Sequence, residues 1–182
     1  VVSRTMEKTC LVTGRSGETL SSIAQEAVAR GRQVILARSG QPDPSTLPEG
    51  TKSATWNRRS PLSARTLVLH AQNVFGRLDE AVVYFSPIHE SSPFHESSIV
   101  GIENRTDAEV KGFLFLIREL LAAFHKQAAG RLVLAVRDLD RETQSPLEAM
   151  SIGGFVAAAE ALYRYYDGER VQVRLAYARP DD

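Results

Sequence analysis

Residues 9–37 read TCLVTGRSGETLSSIAQEAVARGRQVILA, and this stretch decides the fold. Thr9–Thr13 is a short run of apolar and β-branched residues, closed by the turn signal Gly14-Arg15-Ser16-Gly17, and it predicts a buried strand. Over Thr19–Arg30 the residues Leu20, Ile23, Ala24 and Ala27 share one helical face, and Gly31 stops the helix as a residue free to take left-handed φ. Gln33–Ala37 then returns to strand. A strand, a tight glycine turn, a helix and a second strand in this order make a βαβ unit, whose two strands run parallel.

The alternation continues outward from there. A Pro-rich loop covers 41–50, followed by a weaker, edge-like strand at Lys52–Trp56. Pro61 opens a helix whose apolar periodicity spans Leu62–Phe75. Ala81–Phe85 is a fourth strand, Asp107–Gln127 the longest helix, Arg131–Val136 a fifth strand, Gly153–Tyr166 a helix and Val171–Ala176 the last strand. Alternation of this kind predicts a doubly wound parallel sheet in a three-layer α/β/α sandwich, covered on both faces, with ligands at the carboxyl ends of the strands. The 182 residues fit one Rossmann-like domain, with its core over 6–178.

Composition narrows the partners. Lys+Arg and Asp+Glu balance at 22 each, so no global field draws the chain to nucleic acid. No apolar run approaches the roughly 20 residues that span a bilayer, and no signal peptide is evident at the start. The single cysteine, Cys10, excludes an intramolecular disulfide and reads as a small apolar strand residue. A cytoplasmic setting is the expectation.

Five landmarks in order resemble the short-chain dehydrogenase/reductase family. Leu11-Val12-Thr13-Gly14 resembles the start of its TGxxxGxG turn, and Gly76-Arg77-Leu78-Asp79 the approach to the fourth strand. Val110-Lys111-Gly112 resembles an NxKG-like helical stretch, Gly130-Arg131-Leu132-Val133 the entry to the fifth strand, and Arg170-Val171-Gln172-Val173 the approach to the sixth. The resemblance implies an NADP-type cofactor held by Gly14, Arg15, Ser16, Gly17, Arg38, Asn57 and Ser86. Arg38 would stand where NADP-preferring members read the 2′-phosphate; its alternative is a solvated loop arginine. Asn57 would face adenine; its alternative is a helix cap or turn residue.

The family's catalytic set is changed at all four positions where the resemblance places it, while its cofactor positions are kept in part. The second and third turn glycines fall on Glu18 and Leu20. Tyr84-Phe85-Ser86-Pro87 replaces NNAG and crowds the nicotinamide ribose. Counting back from Val173 puts the tyrosine at about Glu148 and the lysine at about Ile152, and 143–154 contains neither residue type. The serine falls near Arg137, with Ser145 or Ser151 as substitutes, and the asparagine near Glu109. The family's substrate loop and seventh strand have no counterpart before Asp182, which implies a site open on one side.

Other groupings have plainer alternatives. His89-Glu90 and His95-Glu96 offer N and O donors for a metal or for displaced chemistry; they also suit a polar surface loop. Asp138, Asp140, Glu142, Arg137 and Arg141 form a mixed run, read as a solvated loop. Tyr163, Tyr165 and Tyr166 fall too late to serve as the family tyrosine. The small-residue face Val156–Leu162, with Phe113, Phe115, Leu116 and Leu120, suits a homodimer through helices 107–127 and 153–166, or a heteromer with an active relative. Three functions compete: a subunit, scaffold or regulator without the Ser-Tyr-Lys reaction, an NADP-binding sensor, and an oxidoreductase with displaced residues.

Overall fold

The computed structural model describes residues 7–15, 17–39, 47–89, 91–137 and 144–178. Six strands, β1 (Thr9–Gly14), β2 (Gln33–Arg38), β3 (Thr51–Thr55), β4 (Glu80–Phe85), β5 (Gly130–Arg137) and β6 (Val171–Ala178), form one sheet in the order β3-β2-β1-β4-β5-β6. Every pairing is parallel. The chain runs outward from β1 through β2 to β3, then crosses back to lay β4 on the other side of β1. That reversal opens a crevice at the carboxyl ends of β1 and β4, where Gly14 is in register with both Arg38 and Tyr84. The doubly wound Rossmann-like sheet expected from the alternation is what forms, with β3 on an edge.

Helices α2 (Pro61–Phe75), α4 (Gly112–Lys126) and α5 (Pro146–Tyr165) cover one face. Their core is anchored by four aromatics: Phe113 meets Trp56, Phe85 and Phe155 edge to face, and Phe85 stacks on Phe155 at 4.7 Å. On the other face α1 (Glu18–Ala29) buries Leu20, Ala24 and Ala27 against Cys10, Val12, Val34 and Leu36. Coverage of that face is less complete than expected. Over β4–β6 a groove of about 670 Å³ remains, floored in part by Val82, Val133, Ala135 and Ala176.

Two helices start earlier than periodicity indicates. The expected helix from Asp107 is continuous with α3 (Ile99–Thr106) through a π turn at Asp107–Lys111. Ser98 caps α3 by accepting from the Gly101 amide, and Ile99 and Val100 are exposed, so no apolar stripe marks this segment. The helix expected from Gly153 begins at Pro146. Ser145 and Glu148 form a reciprocal capping box there, and Gly153 and Gly154 lie inside the helix as interruptions of its pattern. Of the loop expected at 41–50, Leu47–Gly50 is non-helical and non-strand, and 41–46 lies outside the described residues. Among the described residues no helix is long and apolar enough to cross a membrane.

Candidate functional site

The site begins at the crevice between β1 and β4. Gly14 leaves β1 so close to β4 that a Cβ there would overlap the Tyr84 carbonyl oxygen. Arg15 follows, and its Nη1 donates to the Pro87 carbonyl at 2.7 Å, bridging the two strand ends. Gly17 caps α1 in extended backbone, with open space around it and no side-chain cap bond. Glu18 is exposed in the first turn. Leu20 is fully buried between α1 and the sheet, where it fills the space that a glycine would leave for closer helix approach. Ser16 lies outside the described residues.

Beside the crevice, the ends of β2 and β3 gather arginines. Arg38 is the last residue of β2, 7% exposed, with Nη2 donating to Ser21 Oγ at 3.3 Å. This corrects the solvated-loop alternative: the guanidinium is packed against α1. Asn57 adopts its turn role, its Oδ1 accepting from the Arg59 amide at 3.0 Å, while Ser60 rather than Asn57 caps α2. A hollow of about 580 Å³ lies here, with Ser39, Trp56, Asn57, Arg58 and Arg59 among its walls. Trp56 Nε1 and Arg58 Nη1 are buried beside it with no hydrogen-bond partner. Burial pushes the Arg58 guanidinium pKa down; Glu109 opposes that shift and Arg15 adds to it.

Two of the four positions expected to match the family's catalytic set, Glu109 and Glu148, are in buried polar contacts. Glu109, within the π turn, is 1% exposed. Its Oε1 accepts from the Ile88 amide at 2.7 Å, and its Oε2 accepts from Arg105 Nε and Ser151 Oγ, each at 3.0 Å. Arg105 Nη2 also donates to the Ile88 carbonyl. Glu148, in the first turn of α5, is 2% exposed. Its Oε2 accepts from the Ser145 amide, and its Oε1 lies 3.0 Å from His89 Nδ1. Ser145 is therefore a helix cap, and Ser151 a buried donor to Glu109. Arg137 is exposed at the end of β5, while Ile152 packs against the core. Ser86 is nearly buried just past β4.

The remaining groupings separate. His89 turns to Glu148, whereas His95 faces Glu96 at 3.8 Å. Among the described residues no three His, Cys, Asp or Glu side chains are grouped to hold a metal. Glu90 and the mixed charges at 138–143 lie outside the described residues. Tyr165 is 80% exposed and packs edge-on to Tyr166. Sequence reasoning missed Arg105, Arg58 and Trp56 as site residues. The i,i+4 spacing of Arg105 and Glu109 was the available signal for the first.

Solved structures share this architecture. A short-chain dehydrogenase from Mycobacterium smegmatis superposes with a TM-score of 0.79 at 16% identity, covering 95% of this chain and 75% of that one. The fold is that of the short-chain dehydrogenases. A short-chain dehydrogenase from Leptospira borgpetersenii with bound NAD+ is similar at a TM-score of 0.80 and 15% identity, over 96% of this chain and 71% of that one. A 3-ketoacyl-(acyl-carrier-protein) reductase from Brucella melitensis complexed with NADH gives a TM-score of 0.80 at 14% identity, over 96% and 76%. No protein-family model matches the sequence, and none of the curated proteins matches it. Identities this low carry the short-chain dehydrogenase fold and leave the chemistry to be argued from this chain's own residues.

Proposed function

We propose that this chain is a short-chain dehydrogenase-fold protein that does not run a tyrosine–lysine hydride transfer and acts as an assembly subunit or regulator. One observation supports the reading: Glu109 and Glu148, which the family resemblance puts at the asparagine and tyrosine positions, are already hydrogen-bonded inside the protein. A tyrosine-based mechanism needs a phenol poised near its phenolate state beside a cation. Carboxyl groups that accept from Ile88, Ser151 and Ser145 offer no phenol for that step. The surface that would act instead is a groove of about 1050 Å³ between α4 and α5, lined in part by Leu114, Ile117, Leu121, Leu162, Tyr165 and Tyr166. A second copy of the chain, or a catalytically complete relative, is the partner proposed for it.

A second reading keeps a nicotinamide nucleotide without catalysis. The unpartnered Trp56 Nε1 and Arg58 Nη1 beside Asn57 favour it, because buried donors without partners are costly unless something supplies an acceptor. On this reading the adenosine half of the cofactor occupies this hollow and Arg38, at the end of the neighbouring strand, reads the 2′-phosphate. The nicotinamide half would meet the contact between Arg15 and the Pro87 carbonyl that ties the ends of β1 and β4. When bound, the cofactor would supply a hydride carrier; the protein residues here only bind and orient it.

Calorimetric titration with NADPH and NADH, alongside thermal midpoints, separates the readings. The subunit reading expects no saturable binding up to millimolar nucleotide. Micromolar binding would sink it in favour of the sensor, and Arg38→Ala should then weaken NADPH more than NADH.

A further inference from the structure

The short segment that leaves β4, Ser86 to His89, is held by more side chains than its length requires. Arg15, from the end of β1, donates to the Pro87 carbonyl. Glu109, from the π turn before α4, accepts from the Ile88 amide, and Arg105 donates to the Ile88 carbonyl. Glu148, from the first turn of α5, holds the His89 ring at 3.0 Å. Three successive residues are thus tied to four side chains from three different parts of the fold. Their common location is the crevice at the reversal of strand order, where this architecture receives ligands.

The tethers differ in character. The contacts at Ile88 are deep: Arg105 and Glu109 have side chains 9% and 0% exposed. The contact at His89 is peripheral, with the imidazole 76% exposed above a carboxylate that is 3% exposed. A segment fixed at its base and fastened at its outer end by one exposed ring has the mechanics of a strap. Its outer fastening can be released without opening the core.

We propose that residues 86–89 are an autoinhibitory strap that closes the β1–β4 crevice against a dinucleotide, with the His89–Glu148 contact as its latch. The strap leaves the hollow beside Asn57 and Arg58 accessible, so a ligand confined to that hollow is admitted while one that continues across the strand ends is refused. This rests on the nucleotide-retaining reading above. It adds that the crevice is shut by its own loop and that release of the loop admits the longer ligand.

His89→Ala tests the latch, because an exposed ring is removed and the fold has no reason to fail. His89→Leu is a second release that keeps side-chain bulk and removes the bond to Glu148. Three measurements go together: hydrogen exchange at the Ile88 amide, calorimetry with adenosine 2′,5′-bisphosphate, and calorimetry with NADPH. In the unsubstituted protein the Ile88 amide should be protected, and the bisphosphate should bind more tightly than NADPH. In His89→Ala the Ile88 amide should stay protected, because its bond to buried Glu109 remains, while NADPH affinity should rise by about tenfold, a gain of about 1.4 kcal/mol, with the bisphosphate unchanged. Rapid Ile88 exchange in the unsubstituted protein would overturn the strap. Bisphosphate binding with NADPH affinity unmoved in both variants would overturn the gating while sparing the nucleotide reading. Failure of both ligands in every variant would overturn the two together.

Discussion

Cys10 lies in the middle of the sheet with no exposed surface, between Val34 on β2 and Glu80 on β4. Burial pushes its thiol from 9.0 up to about 12; Glu80 raises it further and Arg32 opposes. Because the folded form holds this proton more tightly, its contribution is intact below pH 9 and is lost as pH rises toward 12. The slope should be at most about 1.4 kcal/mol per pH unit. Urea midpoints between pH 8.5 and 10.5 should fall more steeply for the unsubstituted protein than for Cys10→Ala; parallel curves would contradict the assignment. Glu109 differs in being buried among three hydrogen-bond donors. Glu109→Ala removes the acceptor shared by Arg105 Nε, Ser151 Oγ and the Ile88 amide, while Arg105 keeps the Ile88 carbonyl, and should cost about 1–3 kcal/mol, read as a lowered urea midpoint. A loss below about 1 kcal/mol would mean the network is solvated, since exposed ion pairs are worth no more than that.

At the scale of elements, α5 depends on its first turn. Ser145 accepts from the Glu148 amide while Glu148 returns a bond to the Ser145 amide, and Pro146 at the next position needs no donor partner. Ser145→Ala should therefore cost about 0.5–2 kcal/mol, and it should also loosen His89, whose partner is set by that turn. Thermal melts and side-chain NMR of His89 check the two effects separately. The capping box was written in the sequence as Ser145-Pro146-Leu147-Glu148, yet periodicity placed the helix start at Gly153 because two glycines break the apolar stripe. The strands were legible to within one or two residues at each end because buried parallel strands are short apolar runs between turn signals. The site was legible only in part. Counting from Val173 led to Glu148, and the family landmarks led to Glu109. That these carboxylates bond to His89, Ile88 and Ser151 depends on loop paths that no local pattern encodes.

For the whole molecule, the exposed apolar rim of the α4–α5 groove sets the prediction of assembly. Leu114 is 47% exposed and Tyr165 80%, a cost in water that a symmetric partner would remove. Light scattering should give a dimer, and Leu114→Glu should return a monomer with an unchanged circular dichroism spectrum. A monomer at high protein concentration without the substitution would count against the assembly reading.

Gly14 and Gly112 share one property at this scale. A Cβ on Gly14 would overlap the Tyr84 carbonyl, and one on Gly112 would overlap the Arg58 carbonyl. Both glycines therefore serve as spacers that set how closely β1 meets β4 and α4 meets the β3–α2 turn. Folding alone suffices to retain them, whatever ligand the protein takes or refuses. Two landmarks that made the fold readable are thus silent about activity: they are clearances between backbones, and any sequence that closes this sheet and seats this helix must keep them, whatever its chemistry.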